Sequence, residues 1–293
     1  MDTPFILFLN LLLIKVIEMK VLITGGSGRI GKYLIKNLSE SKKYELWLLK
    51  RNSLKEKFTQ TILLDLSKNS EPIPKEAYIK FDLIIHMAGI THVKDTKELG
   101  RKNKQLNENF LKFLLIANKT TPLIFFSSVD VYGIKNQKFP IDVKSKCWPS
   151  SFYGKSKLYS EELFRKNLNK VYTLRIAPMI EYEGEKDYLK RIYIPGTKIR
   201  FKSPYHRENN FSSINSIYKS LESCIEGNAE SVINVTNERI YSDKDFLHGS
   251  KFSLKIPKII LDIVFLLLRT VNTPFCYSLE HKFHKLFKTN TYV

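Results

Sequence analysis

An apolar strand that runs into a glycine-rich turn and then into a helix is the feature that most constrains how this chain can fold. The stretch reads Lys20-Val-Leu-Ile-Thr-Gly-Gly-Ser-Gly-Arg-Ile-Gly31. Gly25 permits the tight turn, Gly28 lets the backbone approach a pyrophosphate, and Gly31 lets the helix pack against the sheet. The helix beginning near Arg29 offers N–H groups and a positive dipole end to phosphates. The pattern predicts a dinucleotide site; the alternative is an ordinary strand-to-helix loop.

Short apolar runs alternate with helical stretches up to residue 177, which is typical of a parallel sheet covered on both faces. Strands are predicted at 20–25, 44–49, 61–64, 83–86, 123–126 and 171–176, and helices over 29–41, 100–118 and 151–169. We therefore expect an α/β fold, a Rossmann-type doubly wound parallel sheet with a smaller C-terminal substrate lobe.

The alternation weakens beyond Pro178, where helices are predicted only near 212–226 and 256–271. The second of these is apolar except for a thin charged stripe. We interpret it as buried, either in the core of the C-terminal lobe or at a subunit interface. Its uncharged run, Ile263 to Leu268, is too short to span a bilayer, but a contact with anionic lipid stays open.

A second set of motifs lies far downstream of the glycine turn. Phe125-Phe-Ser-Ser-Val-Asp-Val-Tyr-Gly133 is followed by Ser151-Phe-Tyr-Gly-Lys-Ser-Lys157. Together with the glycine turn, this set resembles the extended short-chain dehydrogenase/reductase superfamily, in particular the NAD-dependent epimerase/dehydratase family that acts on nucleotide sugars. Shorter matches follow in family order: Asp65-Leu66, the run from Phe81 to Gly89, Asn107, and Thr173-Leu-Arg175.

The resemblance implies three parts of the chain: an apolar extension over 1–18, a NAD(P)-binding domain over 19–177 and a substrate-binding lobe over 178–293. The extension contains an apolar run, Phe5 to Ile14, that is too short to cross a membrane. Because Met19 directly precedes the first strand, 1–18 is interpreted as an upstream mis-start or as a peripheral anchor.

Tyr153 and Lys157 lie four residues apart on a predicted helix and share one face. A phenol has a pKa near 10, and a nearby ammonium would lower it towards the working range of a general base. The resemblance implies that Lys157 also holds the nicotinamide ribose and that Ser128 binds the reacting oxygen. The expected catalytic residues are therefore Ser128, Tyr153 and Lys157.

The residues after the second predicted strand select the cofactor, because a carboxylate there would bind the ribose hydroxyls of NAD. This chain has Lys50 and Arg51 instead, two cations suited to a 2′-phosphate, so NADP is favoured over NAD. The alternative is that both point into water. The other cofactor-binding residues that the resemblance implies are Gly25, Ser27, Gly28, Arg29, Ile30, Gly31, Asp65, Leu66, Ala88, Gly89 and Asn107, with Tyr153 and Lys157.

Several positions depart from the family pattern where a substrate diphosphate would bind. Pro178 stands near the expected asparagine, Glu181 replaces a glycine, Asn215-Ser216 replace an acidic pair, and Arg207 is displaced by two positions. The predicted function is a NAD(P)-dependent epimerase or dehydratase of a nucleotide sugar in polysaccharide synthesis. The alternatives are a NADPH-dependent reductase of a keto-sugar or non-sugar ketone, and a non-catalytic NADP-binding scaffold.

The charge and the cysteine content limit the classes of partner and the cell compartment that can be expected for this chain. The 48 basic and 29 acidic residues give a net charge of +19, which suits nucleic acid, a membrane surface or an anionic substrate. Basic residues are spread along the chain without a nucleic-acid module, so no specific nucleic-acid role is expected. Three separated cysteines predict neither disulfides nor a metal site, and a cytoplasmic protein is expected. The resemblance implies a homodimer through helices 100–118 and 151–169.

Overall fold

The computed structural model describes residues 18–51, 60–68, 71–90, 96–133, 137–180, 199–202, 204–205, 208–242, 245, 252–270, 276, 279–280 and 291–293. The strands are β1 (Met19–Thr24), β2 (Tyr44–Lys50), β3 (Gln60–Leu63), β4 (Leu83–His86), β5 (Leu123–Ser128), β6 (Val171–Ile176), β7 (Ile199–Lys202), β8 (Glu208–Asn210), β9 (Val232–Val235), β10 (Ile240–Ser242) and β11 (Phe252–Lys255). The helices are α1 (Arg29–Glu40), α2 (Lys97–Ala117), α3 (Phe152–Asn167), α4 (Ile214–Ile225) and α5 (Lys258–Thr270), with short 3-10 turns at Lys75–Tyr78 and Val129–Val131.

Seven strands form one sheet in the order β3-β2-β1-β4-β5-β6-β9, and every neighbouring pair is parallel. The order reverses between β1 and β4, so the loops leaving these strands diverge and open a crevice at their carboxyl ends. Two further pairs, β8 with β10 and β7 with β11, lie outside this sheet. The predicted doubly wound Rossmann sheet is confirmed.

Side chains alternate across the sheet, and each face has its own apolar core. Val21 and Ile23 point to the face covered by α1 and α4, whereas Leu22 points to the face covered by α2 and α3. Both cores exclude solvent at β1, where Val21, Leu22 and Ile23 are at most 1% exposed. This packing fixes the carboxyl ends of β1, β4 and β5 at one edge of the sheet.

Two predictions about the C-terminal part need correction. Strand β9 was not predicted, yet it pairs with β6 and completes the sheet, and α4 packs on the same core. Helix α5 was predicted to be buried in the core of the C-terminal lobe or at a subunit interface. Leu261 and Phe265 are buried within this chain and Ile259 is 68% exposed, so complete burial in the core of the lobe is wrong and the interface alternative stays a prediction. The domain boundary at 177 stays a prediction. In the described part of the chain, no helix is long and apolar enough to cross a membrane.

Candidate functional site

The glycine turn brings the chain backbone close to the loop after β4 and to the start of α1. Gly25 has φ +75°, and a Cβ on it would lie 2.7 Å from the Ala88 nitrogen. A Cβ on Gly31 would lie 2.5 Å from the Gly25 carbonyl oxygen, so α1 can approach β1 only with glycine there. Gly28 caps α1 without a side-chain hydrogen bond to its first turn. The first turn, with Arg29 and Ile30, is therefore shaped for a phosphate, and exposed Ser27 precedes it.

The loop after β4 is held beside this turn. The Ala88 N–H donates to Thr24 Oγ1 at 3.2 Å. The side-chain amide of Asn103 accepts from the Ile90 N–H at 2.8 Å and donates to the Ile90 carbonyl oxygen at 3.1 Å. A Cβ on Gly89 would lie 3.7 Å from Lys157 Nζ. Gly89 thus brings the predicted cofactor loop next to the predicted catalytic lysine.

The turn that carries Ser128 and the start of α3 are packed together. Ser128 ends β5, and its hydroxyl accepts from the Asp130 N–H at 3.2 Å. Ser151 caps α3 by accepting from the Gly154 N–H at 2.8 Å. A Cβ on Gly154 would lie 2.5 Å from the Asp130 carbonyl oxygen, so only glycine allows this approach. The contact holds the helix carrying Tyr153 against the turn carrying Ser128.

Lys157 is 6% exposed and reaches the end of β5. Its Nζ donates to the Phe126 carbonyl oxygen at 2.7 Å and lies 4.9 Å from the centre of the Phe125 ring. Burial lowers the pKa of this ammonium to about 8, although the Glu161 carboxylate acts in the opposite direction. The lysine is therefore a buried cation whose charge is held at a cost in stability.

The pKa of the Tyr153 phenol is shifted in the direction opposite to the predicted one. We expected Lys157 to lower the pKa of the phenol, but burial, and then the negative charge of Asp130, raise it well above its usual value. Lys157 Nζ lies 5.8 Å from the centre of the Tyr153 ring and is bonded to the Phe126 carbonyl. In this state Tyr153 is a protonated phenol at neutral pH, suited to donate a proton.

The side chain of Asn107, one of the expected cofactor-binding residues, lies in a buried network of hydrogen bonds. Its amide group donates to the Asn103 carbonyl and to Ser160 Oγ, each at 2.8 Å. Its oxygen lies 2.6 Å from His86 Nε2, which must therefore donate. His86 Nδ1 then accepts from the Thr24 hydroxyl at 2.6 Å. One chain of hydrogen bonds thus joins β1, β4, α2 and α3.

His86 stays neutral in this chain of hydrogen bonds. It is completely buried, and its ring stacks on Phe110 with centroids 4.1 Å apart. Burial lowers its pKa to about 3, and the charge of Lys157 acts in the same direction. His86 is therefore a neutral, hydrogen-bonded residue of β4.

The residues predicted to select the cofactor lie at the ends of β2 and β3. Lys50 ends β2, and exposed Arg51 follows it. The Asp65 carboxylate caps its own turn by accepting from Ser67 N–H and Oγ at 3.0 and 2.6 Å, while Leu66 is buried. Burial raises the pKa of Asp65, but the two hydrogen bonds from Ser67 and the charge of Arg51 outweigh burial and hold this pKa below its usual range.

A buried ion pair beneath the site was missed in the sequence. Glu161 accepts from Arg175 Nε at 3.1 Å and Nη2 at 2.7 Å, and from Ser127 Oγ at 2.5 Å. Arg175 also donates to the Tyr132 hydroxyl at 3.0 Å, and that hydroxyl donates to Asn234 at 2.6 Å. Glu161 lies one turn after Lys157 on the face of α3 that carries the site, which is the signal that could have revealed it.

One of the positions that depart from the family pattern, Ser216, caps a helix. Ser216 and Ser213 cap α4 reciprocally at 2.9 and 3.0 Å, so Ser216 has a structural role. Glu181 and Arg207 lie outside the described residues. Over the stretches that the structure does describe, no group of three or more His, Cys, Asp or Glu could hold a metal ion.

Comparison with known proteins agrees with this geometry. A curated relative, the GDP-6-deoxy-D-talose 4-dehydrogenase of Aggregatibacter actinomycetemcomitans, is 29% identical over 153 residues, which are 50% of this chain and 48% of that protein. The match therefore spans about half of the relative's length.

Solved structures share the fold. The UDP-N-acetylglucosamine 4-epimerase of Bacillus cereus is 15% identical with a TM-score of 0.61, and the alignment covers 82% of this chain and 85% of that one. The ADP-L-glycero-D-manno-heptose-6-epimerase of Helicobacter pylori is 20% identical with a TM-score of 0.63, covering 82% and 86%. The model of the NAD dependent epimerase/dehydratase family matches residues 21–180, more than half of the 293-residue chain. With the glycine turn, the switch point and the Tyr153–Lys157 helix in place, the chain belongs to the NAD-dependent epimerase/dehydratase family.

Proposed function

We propose that this chain is an epimerase- or dehydratase-type oxidoreductase that acts at a secondary alcohol or ketone of a nucleotide sugar. The observation that carries the proposal is the position of Lys157. This lysine is buried at the carboxyl end of β5, beside Gly89 of the predicted cofactor loop, on the helix that also carries Tyr153. A buried cation between a dinucleotide crevice and a phenol is suited to proton transfer coupled to hydride transfer.

The residues divide the proposed chemistry among them. A bound NAD(P) supplies the hydride acceptor or donor. The glycine turn and the first turn of α1 bind its pyrophosphate, because the first N–H groups of a helix and its positive dipole end attract phosphate and Gly28 has no side chain to block the approach. Ser128 Oγ holds the reacting oxygen by a hydrogen bond. Tyr153 gives a proton to that oxygen or takes one from it, and Lys157 stabilises the phenolate by its charge.

For the nucleotide, we favour NADP over NAD. Lys50 ends β2 and Arg51 follows it, where a ribose-binding carboxylate would stand in an NAD enzyme. A guanidinium can bind a phosphate by two hydrogen bonds and stack on an aromatic ring. We expect Arg51→Ala to weaken NADPH binding at least tenfold and to leave NADH binding within twofold. Equal effects on both nucleotides, measured by fluorescence titration, would show that Arg51 does not read the 2′-phosphate.

A NADPH-dependent ketone reductase is the second candidate. A carbonyl reduction consumes the protonated phenol of Tyr153, the form that any tyrosine has at neutral pH, so the preference rests on the cofactor-selecting cations. The cations after β2 favour the nucleotide that reductases exchange at each turnover. An epimerase would need the same group to act as a base in the opposite half-reaction.

The nucleotide-sugar substrate rests on the relatives and on the net charge. The similar proteins include a GDP-sugar dehydrogenase and nucleotide-sugar epimerases, whose substrates carry a diphosphate. A net charge of +19 suits an anionic substrate. Pro178 has no N–H to donate to that diphosphate, so other groups must bind it.

A homodimer through α2 and α3 is proposed on the resemblance alone. The two helices pack against each other, with the Tyr159 hydroxyl donating to Glu108 and Lys104 Nζ lying 4.5 Å from the Tyr159 ring centre. Light scattering at micromolar concentration is expected to give twice the 34.3 kDa chain mass. A mass of one chain would contradict the proposal.

Mass spectrometry of the nucleotide released from freshly purified, denatured protein tests the function. Retained NAD or NADH would support an enzyme that recycles its cofactor in place and would contradict the NADP preference. NADP, or an empty protein that binds NADPH, would support the reductase. In either case Tyr153→Phe is expected to reduce turnover of a nucleotide sugar at least a hundredfold while nucleotide binding persists. Full activity of that variant would refute the mechanism.

A further inference from the structure

Helix α5 presents an apolar face to solvent. Leu261 and Phe265 pack inwards at 2% and 3% exposure, and the five exposed aliphatic residues lie on the other side of the helix. These are Ile259, Ile260, Ile263, Leu266 and Leu267, each at least 50% exposed. We call these five residues the outer face of α5. Scattered exposed aliphatic residues are normal, but a contiguous set on one helix marks an interaction surface.

The charged groups of α5 lie beside the outer face. Lys258 and Asp262 follow one flank of the helix, and Lys255 is exposed just before it. Asp262 accepts a hydrogen bond from the Tyr205 hydroxyl, and Lys258 Nζ lies 6.0 Å from the Tyr205 ring centre. Aliphatic residues outwards with lysines at the helix start are typical of helices that lie in a membrane interface.

A second copy of this chain fits the outer face poorly. A helix of 13 residues is about 20 Å long and about 10 Å wide, so it offers a footprint of roughly 200 Å². A stable interface needs about 800 Å² from each partner. The outer face contains no Tyr, Trp or Arg, the residues that dominate protein interfaces.

We propose that the outer face of α5 docks on an anionic phospholipid surface, with the aliphatic side chains among the acyl chains and Lys255 and Lys258 at the headgroups. The net positive charge draws the protein to the surface, and the outer face supplies the apolar contact. At about 20 Å the helix is shorter than the roughly 30 Å hydrocarbon core, so it lies in the interface and does not span it. This inference does not depend on the proposed enzymatic function.

Co-sedimentation of the full chain with vesicles tests the proposal. We expect binding to vesicles containing one part phosphatidylglycerol to two parts phosphatidylcholine, weaker binding at high salt, and little binding to phosphatidylcholine alone. The double substitution Ile263→Glu and Leu266→Glu is expected to weaken binding to the anionic vesicles at least tenfold. The matched control, Ile73→Glu with Tyr78→Glu, replaces two other exposed apolar residues with the same charges and is expected to reduce binding less than threefold.

The same experiment also shows whether another part of the chain contacts the lipid or whether a second copy of the chain covers the outer face. If the wild type does not sediment with anionic vesicles, the proposal is wrong. If both double variants bind equally well, the contact is made elsewhere, for example by the apolar run Phe5 to Ile14, and the proposal is also wrong. A wild-type dimer that the α5 variant alone converts to a monomer would assign the outer face to a second copy.

A second variant tests the same contact without placing glutamates on the outer face, so it does not require the fold to tolerate them. Leu266→Trp places an indole on the outer face, and its emission, taken as the difference from the parent chain, is expected to shift to the blue when anionic vesicles are added. An unchanged spectrum in a variant that still sediments would refute insertion of this face.

Discussion

Replacing Lys157 with methionine is expected to stabilise the protein while abolishing hydride transfer. The ammonium is buried, and its pKa falls from 10.5 to about 8 on folding. Each pKa unit corresponds to about 1.4 kcal/mol, so keeping the lysine charged costs about 3 kcal/mol at pH 7. Methionine removes that cost and loses the hydrogen bond to the Phe126 carbonyl, which is worth about 1 kcal/mol. The net expectation is a gain of about 2 kcal/mol in the free energy of unfolding at pH 7.

The pH dependence gives this prediction its test. Between pH 8 and 10.5 the unfolded lysine binds more protons than the folded one, so wild-type stability should rise with pH and the advantage of Lys157→Met should shrink. Urea unfolding at pH 7 and pH 9.5 measures both effects. Lys155→Met, at an exposed position on the same helix, is the control and should change stability by less than about 0.5 kcal/mol. A Lys157→Met protein less stable than the wild type at pH 7, or a gap that does not shrink, would refute the reasoning.

Three further predictions concern the residues around the site. Glu161→Gln leaves Arg175 buried without its carboxylate and should destabilise the protein by about 3 kcal/mol in urea unfolding, whereas exposed Glu162→Gln should change little. Gly28→Ala should fold normally, since Gly28 has φ −69°, but should weaken NADH binding about tenfold by fluorescence titration; unchanged binding would mean that the pyrophosphate does not pass over Gly28. His86 has a pKa of 6.5 when unfolded and about 3 when folded, so it contributes stability above pH 6.5 that is lost as pH falls towards 3, by roughly 5 kcal/mol at most. The stability gap between wild type and His86→Gln should therefore shrink over that range, and a constant gap would contradict the neutral assignment.

The sequence predicted the parts of the fold whose burial pattern is simple. Strands β1 to β6 are short apolar runs between helices, so alternation was sufficient to find them. Strand β9 was missed because Val-Ile-Asn-Val is short and contains a polar residue. The structure explains that residue: Asn234 accepts from the Tyr132 hydroxyl and donates to the Ile141 and Val293 carbonyls at 3.2 and 2.6 Å. Contacts so distant in sequence cannot be predicted from local pattern.

The sequence predicted which residues lie together at the candidate site but not the electrostatics there. Helical spacing placed Tyr153 and Lys157 on one face, and the structure brings Gly89 to the same place. The direction of the Tyr153 pKa was predicted wrongly, because spacing shows that two groups can meet but not how much water remains around them. Burial disfavours the charged forms of both side chains, and it is the largest cause of the pKa shift of each.

This balance links the direction of catalysis to the position of one ammonium group. With Lys157 Nζ bonded to the Phe126 carbonyl, Tyr153 is a protonated phenol and can donate to a carbonyl oxygen without further change. Oxidation of an alcohol requires the phenolate, and burial makes that form costly until a positive charge comes closer. Under the proposed function, Lys157 must therefore leave the Phe126 carbonyl, or a second cation must enter the crevice, before the oxidative half-reaction can begin. A carbonyl reduction needs neither event, because it starts from the protonated phenol.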